Sequence, residues 1–205
     1  MPDRMPTDFC SYPEKRRKLV LPAKISGQSI PVAFFDADNT IRTTRSGKPS
    51  PHGKHDVRIF RETSTKLKDL INQGYILAII SNQAGIEKGY ITYPEVEEAF
   101  QETLRLFAEE QVFFNYYDFA EKKDENRKPD IMMALRLEKK LKLAGLDVAW
   151  EKSFIVGDAG WKRNRDVQPD GTPGTDHSSS DRIFAANISK KHKGFAFFHP
   201  KYFFK

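Results

Sequence analysis

One cysteine, Cys10, occurs in 205 residues, which excludes an intramolecular disulfide and any Cys-rich zinc site and points to a reducing compartment. No apolar run approaches the roughly 18 residues of a transmembrane helix, and the polar start lacks the apolar centre of a secretory signal. The expectation is no membrane and an intracellular location, cytoplasmic in a bacterium and compatible with the nucleus in a eukaryote. A Gly-x-x-x-x-Gly-Lys-Ser/Thr segment is also missing, so no P-loop kinase domain is expected in this chain. There is no internal repeat and no low-complexity stretch. What is present is enough chain for one well-buried core and a formal charge of +6 with pI near 9.3. That surplus suits an anionic partner, and an ordinary solvated surface equally well.

The densest chemical signal is Pro31-Val-Ala-Phe-Phe-Asp-Ala-Asp-Asn-Thr40. If residues 31–36 form a buried strand, Asp36 and Asp38 leave its end on the same side, because strand side chains repeat every second residue. Two carboxylates in one crevice repel each other unless a cation lies between them or one keeps a proton. The pair therefore suggests metal-assisted phosphoryl transfer, with one Asp as nucleophile and its neighbour as acid and base. A strand running into a solvated Asp-rich turn is the plainer alternative, and the rest of the chain has to decide.

Residues 1–30 read as a basic N-terminal extension, in which the run at 13–18 would be a solvated segment, a nucleic-acid arm or a nuclear address. Residues 31–205 read as one domain. A turn at Ser46-Gly47 after Ile41-Arg-Thr-Thr suggests a small hairpin flap beside the carboxylates. Phe60, Ser64, Leu67, Leu70 and Ile71 recur at helical spacing before Gly74. Apolar runs predict strands at 75–80, 112–119, 153–157 and 194–198. Helices are predicted after Thr92, where Val96, Phe100, Leu104 and Phe107 make one face, over 130–144, and over about 180–187. This alternation gives an α/β fold, a three-layer Rossmann-like mainly parallel sheet with helices on both faces. It contains no large cap domain. Polar residues at strand ends (Asp36, Asp38, Ser81, Asp158) should converge on one crevice, since open α/β sheets bind ligands beyond the carboxyl ends of their strands.

In order along the chain, Asp36-Ala-Asp38-Asn39-Thr40, Ser81, Lys128, and Gly157-Asp158 with Ser180-Asp181 resemble the four motifs of the haloacid dehalogenase-like (HAD-like) phosphohydrolase superfamily. Within it, the chain most resembles the 3′-phosphatase domain of polynucleotide kinase-phosphatases. That likeness is carried by Gly74-Tyr75, Ser81-Asn-Gln-Ala-Gly-Ile86, Arg127-Lys128-Pro129, Phe154-Ile-Val-Gly-Asp-Ala-Gly160, His177-Ser-Ser-Ser-Asp-Arg-Ile-Phe-Ala-Ala-Asn187 and Phe198-His-Pro-Lys-Tyr-Phe-Phe204. The resemblance implies Asp36 as nucleophile, forming an aspartyl-phosphate, and Asp38 as acid and then base. It implies Ser81 and Lys128 as partners of the phosphoryl oxygens. It further implies Mg2+ bound by Asp36, Asp158, the backbone carbonyl of Asp38 and Asp181. Three departures stand out: Asn39 replaces a usual Gly, Asp130-Ile-Met-Met133 follows Lys128-Pro129 in place of Gly-Met-Trp, and the loop from Trp161 to Gly174 is longer and more basic than the family pattern.

The implied substrate is a DNA 3′-end, processed during strand-break repair by a monomer. Thr40 and Asn82 would help bind it. Arg42, Arg45 and Lys48 on the flap with Lys162, Arg163 and Arg165 after the fourth motif would form a cationic entrance, and Trp161 would either stack on a base or pack under its loop. A small-molecule phosphatase of the histidinol-phosphate or heptose-bisphosphate type shares the motifs, and a non-catalytic end-binding module is the rival from another class.

Overall fold

The computed structural model describes residues 16–23, 25 and 27–205; Cys10 and residues 13–15 of the basic run lie outside them. In chain order the elements are β1 (Ser29–Ile30), β2 (Val32–Phe35), β3 (Arg42–Thr44), β4 (Val57–Ile59), α1 (Ser64–Asn72), β5 (Ile76–Asn82), α2 (Tyr93–Glu109), β6 (Tyr116–Ala120), α3 (Met132–Leu143), β7 (Asp147–Val148), β8 (Phe154–Val156), α4 (Ser180–Ser189), β9 (Ala196–Phe198) and α5 (Pro200–Phe203).

Five strands form one sheet in the order β6-β5-β2-β8-β9, every neighbour parallel. The alternation rule sorts its side chains cleanly. Ala33, Phe35, Leu77, Ile79 and Phe119 point to one face, where Leu67, Leu70, Val96, Phe100 and Phe107 of α1 and α2 cover them. Val32, Phe34, Ile76, Ala78, Ile80 and Tyr116 point to the other, under Met133, Leu137, Leu141, Phe184 and Ile188 of α3 and α4. Burial on both faces is why these strands read as unbroken apolar runs. The α2 helix starts where Thr92 predicted it: Glu95 N donates to Thr92 Oγ1 and the Glu95 carboxylate accepts from Thr92 N, a reciprocal capping box.

The chain leaves β2 toward β5 and β6 on one side, then returns to build β8 and β9 on the other. A crevice opens where the order reverses, flanked by the residues that follow β2 and β8. No large cap domain interrupts the described chain; the insertion that follows Asp38 is the antiparallel pair β3–β4, and a loop of residues 160–178 follows Asp158. That hairpin is longer than the sequence suggested. The return strand is Val57–Ile59, and the loop 45–56 is held by Asp56, whose carboxylate accepts from Ser46 N, Ser46 Oγ and His52 N. Residues 112–115 are likewise no strand. Val112 and Phe114 plug the core, and pairing begins only at Tyr116.

The described residues before β2 lie along the sheet. Arg17 N and Val20 N donate to Tyr117 O and Asn115 O, both at 2.9 Å, covering the edge beside β6, and β1 pairs with β7. The fully buried Asp118 accepts from Arg16 Nε at 3.0 Å and Arg17 Nε at 2.9 Å, and Arg136 of α3 closes on its other oxygen. Both arginines of the basic run are thus tied to the buried Asp118, Arg16 largely buried and Arg17 still partly exposed.

Candidate active site

Asp36 follows β2, and its N–H donates to Val156 O at 2.8 Å, which ties it across the reversal point to β8. The left-handed turn after it is made by Asn39, at φ 58°, the non-Gly residue that accepts this conformation best. Thr40 Oγ1 then accepts from Asp158 N at 3.1 Å. Asp181, at the start of α4, reaches back so that its Oδ2 accepts from Ala159 N at 3.1 Å. A Cβ at Gly157 would lie 2.2 Å from that same oxygen, so only glycine lets Asp181 approach.

Lys128 joins these parts. Its side chain is buried, with Nζ 2.7 Å from Asp36 Oδ1, 2.8 Å from Ile80 O and 2.8 Å from Asp181 Oδ1. Burial would lower its pKa, but the Asp181 and Asp36 charges more than offset that and raise it, so the ammonium is retained. Its backbone is clamped by Asn82, which accepts from Lys128 N and donates to Lys128 O, both at 2.9 Å.

Asp36, Asp158 and Asp181 offer oxygens that all lie within 4.8 Å of one another. Burial pushes the Asp36 carboxyl up, opposed by Lys128. Burial and the neighbouring Asp36 and Asp181 charges push Asp158 up to about 8. Asp181 Oδ1 is buried and, though close to Lys128, makes no well-directed hydrogen bond. Crowded carboxylates with an unfilled acceptor fit a hard divalent cation such as Mg2+, and such an ion would remove the repulsion that raises these pKa values.

Asp38 stands apart from this trio, its side chain fixed by two donors. Arg42 Nε reaches Oδ1 at 2.8 Å, and Gln83 Nε2 reaches Oδ2 at 2.8 Å. Gln83 also donates to Ser81 Oγ at 3.1 Å, and Ser81 in turn hydrogen-bonds Asp36. Gln83 was missed as a site residue, although the every-second-residue rule that paired Asp36 with Asp38 also pairs Ser81 with Gln83.

Several expected substrate contacts need correction. Arg42 is 0% exposed; its guanidinium lies 4.2 Å from the centre of the Phe100 ring and donates to Thr103 Oγ1 at 3.1 Å, so it cannot serve a cationic entrance. Thr40 and Asn82 spend their side chains on the backbones of Asp158 and Lys128. Arg165 is exposed but pairs with Asp166 and bonds Ser179; Arg45, Lys48, Lys162 and Arg163 are the other exposed cations of the expected set. Arg163 Nη2 donates to Thr175 O at 3.3 Å. Trp161 packs on Phe197 and His199, with ring centres 5.6 and 5.9 Å apart, where Asp176 ties its backbone N–H at 2.7 Å.

A family model described as polynucleotide kinase 3 phosphatase matches residues 31–204. The chain belongs to this family. A 20.8 kDa protein of Autographa californica nuclear polyhedrosis virus, encoded between FGF and VUBI and itself uncharacterized, is 30% identical over 158 residues, 77% of this chain and 79% of that one. The fold is similar to that of a Mesorhizobium loti protein assigned to the HAD-like phosphatases (TM-score 0.60, 21% identity, 82% of this chain and 90% of that one). It is also similar to that of a B. bronchiseptica D,D-heptose 1,7-bisphosphate phosphatase complexed with magnesium and phosphate (TM-score 0.54, 11% identity, 79% and 99%). This family member is thus a HAD-like phosphatase. Among its described residues, no helix is long and apolar enough to cross a membrane.

Proposed function

We propose that this phosphatase is a Mg2+-dependent polynucleotide 3′-phosphatase that clears 3′-phosphates from DNA ends for repair synthesis and ligation. The observation that carries the reading is Lys128, a buried ammonium within 2.8 Å of Asp36 and Asp181 in a chain matched to the polynucleotide kinase 3 phosphatase family.

An Asp36 oxygen attacks phosphorus, the ester P–O bond breaks, and the departing 3′-oxygen takes a proton from Asp38. Water then attacks the aspartyl-phosphate, gives its proton to Asp38, and releases inorganic phosphate with Asp36 restored. Lys128 offsets the charge of the phosphoryl oxygens and Ser81 hydrogen-bonds them, the positioning and electrostatics on which phosphoryl transfer mostly depends. Arg42 and Gln83 hold the Asp38 carboxyl in place for both proton transfers. Asp36, Asp158 and Asp181, with the Asp38 carbonyl, would hold Mg2+, which supplies charge neutralisation between nucleophile and phosphate.

The test is Mg2+-dependent phosphate release from a 3′-phosphorylated DNA oligonucleotide, beside its 5′-phosphorylated twin and a panel of sugar phosphates. Preference for the 3′ end supports the reading, and loss of turnover in a folded Asp36→Asn variant supports the nucleophile. Turnover of sugar bisphosphates alone would instead place the chain with small-molecule phosphatases, whose fold it shares. Silence on every substrate would revive the end-binding module.

A further inference from the structure

The outer side of the flap hairpin carries a second cationic site, separate from the catalytic crevice. Arg45, Arg58 and Arg61 surround a pocket of about 280 Å³ together with Ile59, Glu62 and Leu106. Arg45 is oriented there by its Nε, which donates to Val57 O at 3.2 Å, and Arg61 by an ion pair to Glu110. Arg58 is exposed, and its side chain has no hydrogen-bond or ion-pair partner among the described residues. Two carboxylates, Glu62 and Glu110, therefore face three guanidiniums, and a positive surplus remains.

The hairpin links this pocket to the chemistry. Arg42, whose side chain holds Asp38, stands opposite Ile59, and the next pair is Thr43 with Arg58. Successive strand residues face opposite sides, so Arg42 turns inward to Asp38 while Arg58 turns outward. Arg45 lies three residues beyond Arg42, on the order of 10 Å along extended chain. A nucleic-acid strand, rising roughly 3.4 Å per nucleotide in duplex form, covers that span in a few nucleotides.

We infer that the Arg45–Arg58–Arg61 pocket binds a backbone phosphodiester of the polynucleotide, a few nucleotides upstream of the terminal phosphate in the crevice. Guanidinium forks match phosphate oxygens bidentately, and the three arginines line one pocket from which they can do so. The inference rests on the polynucleotide reading above and adds to it where the strand runs.

The experiment uses 3′-phosphorylated oligodeoxynucleotides, from a single nucleotide to an octamer, at low and moderate salt, with p-nitrophenyl phosphate as a substrate lacking a backbone. Wild type is compared with Arg58→Gln and with Arg58→Gln/Arg61→Gln. The expected result is a rise of kcat/KM with length in wild type that is reduced about tenfold or more in the double variant. Its log–log salt slope should fall by about 1 for each phosphate that is no longer neutralised, with unchanged turnover of p-nitrophenyl phosphate. Identical length and salt dependence in wild type and variants overturns the pocket while leaving the polynucleotide reading intact. Failure of the wild type on every oligonucleotide overturns both. Should the double variant not fold, the exposed Arg58→Gln variant alone decides, because the Arg58 side chain holds no other part of the fold in place.

Discussion

Arg42 and Asp38 are joined Nε to Oδ1 at 2.8 Å, the guanidinium buried against the Phe100 ring and the carboxylate at the mouth of the crevice. The flap is therefore attached to the proposed acid–base residue by the first residue of its own strand. Replacement by Lys keeps a charge but loses the planar fork and the stack on Phe100. Arg42→Lys should lower kcat about 10- to 100-fold with little change in KM, since a displacement near 1 Å at a reacting group costs on that order. Steady-state kinetics on p-nitrophenyl phosphate give the split, and an equal change in KM alone would show that Arg42 serves binding instead.

Asp158 predicts a pH dependence. Its carboxyl is pushed up to about 8 by burial and by Asp36 and Asp181, above the ordinary carboxylate value near 4. A raised folded-state pKa contributes stability that is complete below about pH 4 and is lost as pH rises through 8. The metal-free protein should thus lose stability over that window. In the proposed site Mg2+ would have to displace the same proton, so its apparent affinity should climb with pH and level off above about 8. Thermal melts between pH 5.5 and 8.5 with EDTA or Mg2+ check this; a Mg2+ shift independent of pH would contradict it.

Asp118 predicts a stability defect remote from catalysis. It is fully buried and bonded to Arg16, Arg17 and Arg136. Asp118→Asn keeps the shape but removes the buried charge shared by these guanidiniums, of which only Arg16 has a second carboxylate among the described residues, Glu121, and breaking a buried pair in this way costs about 3–5 kcal/mol. Urea melts should show that loss. At temperatures where the variant remains folded, kcat should stay near the wild-type value.

The strand runs and the order of the polar strand ends were legible because they depend on local rules. Apolar continuity marks strands buried on both faces, and the two-residue period alone aligned Asp36 with Asp38. The flap's return strand was not legible, since its loop is organised by Asp56 reaching residues ten positions away, which no local pattern signals. Charge was the least legible property. Arg42, Arg45 and Lys48 look alike in sequence, yet one is buried under α2 and the others face solvent.

By itself, then, the sequence determined a parallel α/β sheet with acidic residues at its strand ends, because periodicity and hydrophobic burial act over a few residues. Tertiary structure decided what those residues touch: Lys128 between Asp36 and Asp181, Gln83 and Arg42 on Asp38, and three arginines closing on Asp118. Most of these contacts join distant segments, 45 positions apart for Gln83 and Asp38 and 102 for Arg16 and Asp118, and electrostatic energy depends on distance and desolvation in space, quantities fixed only when the sheet brings those segments together.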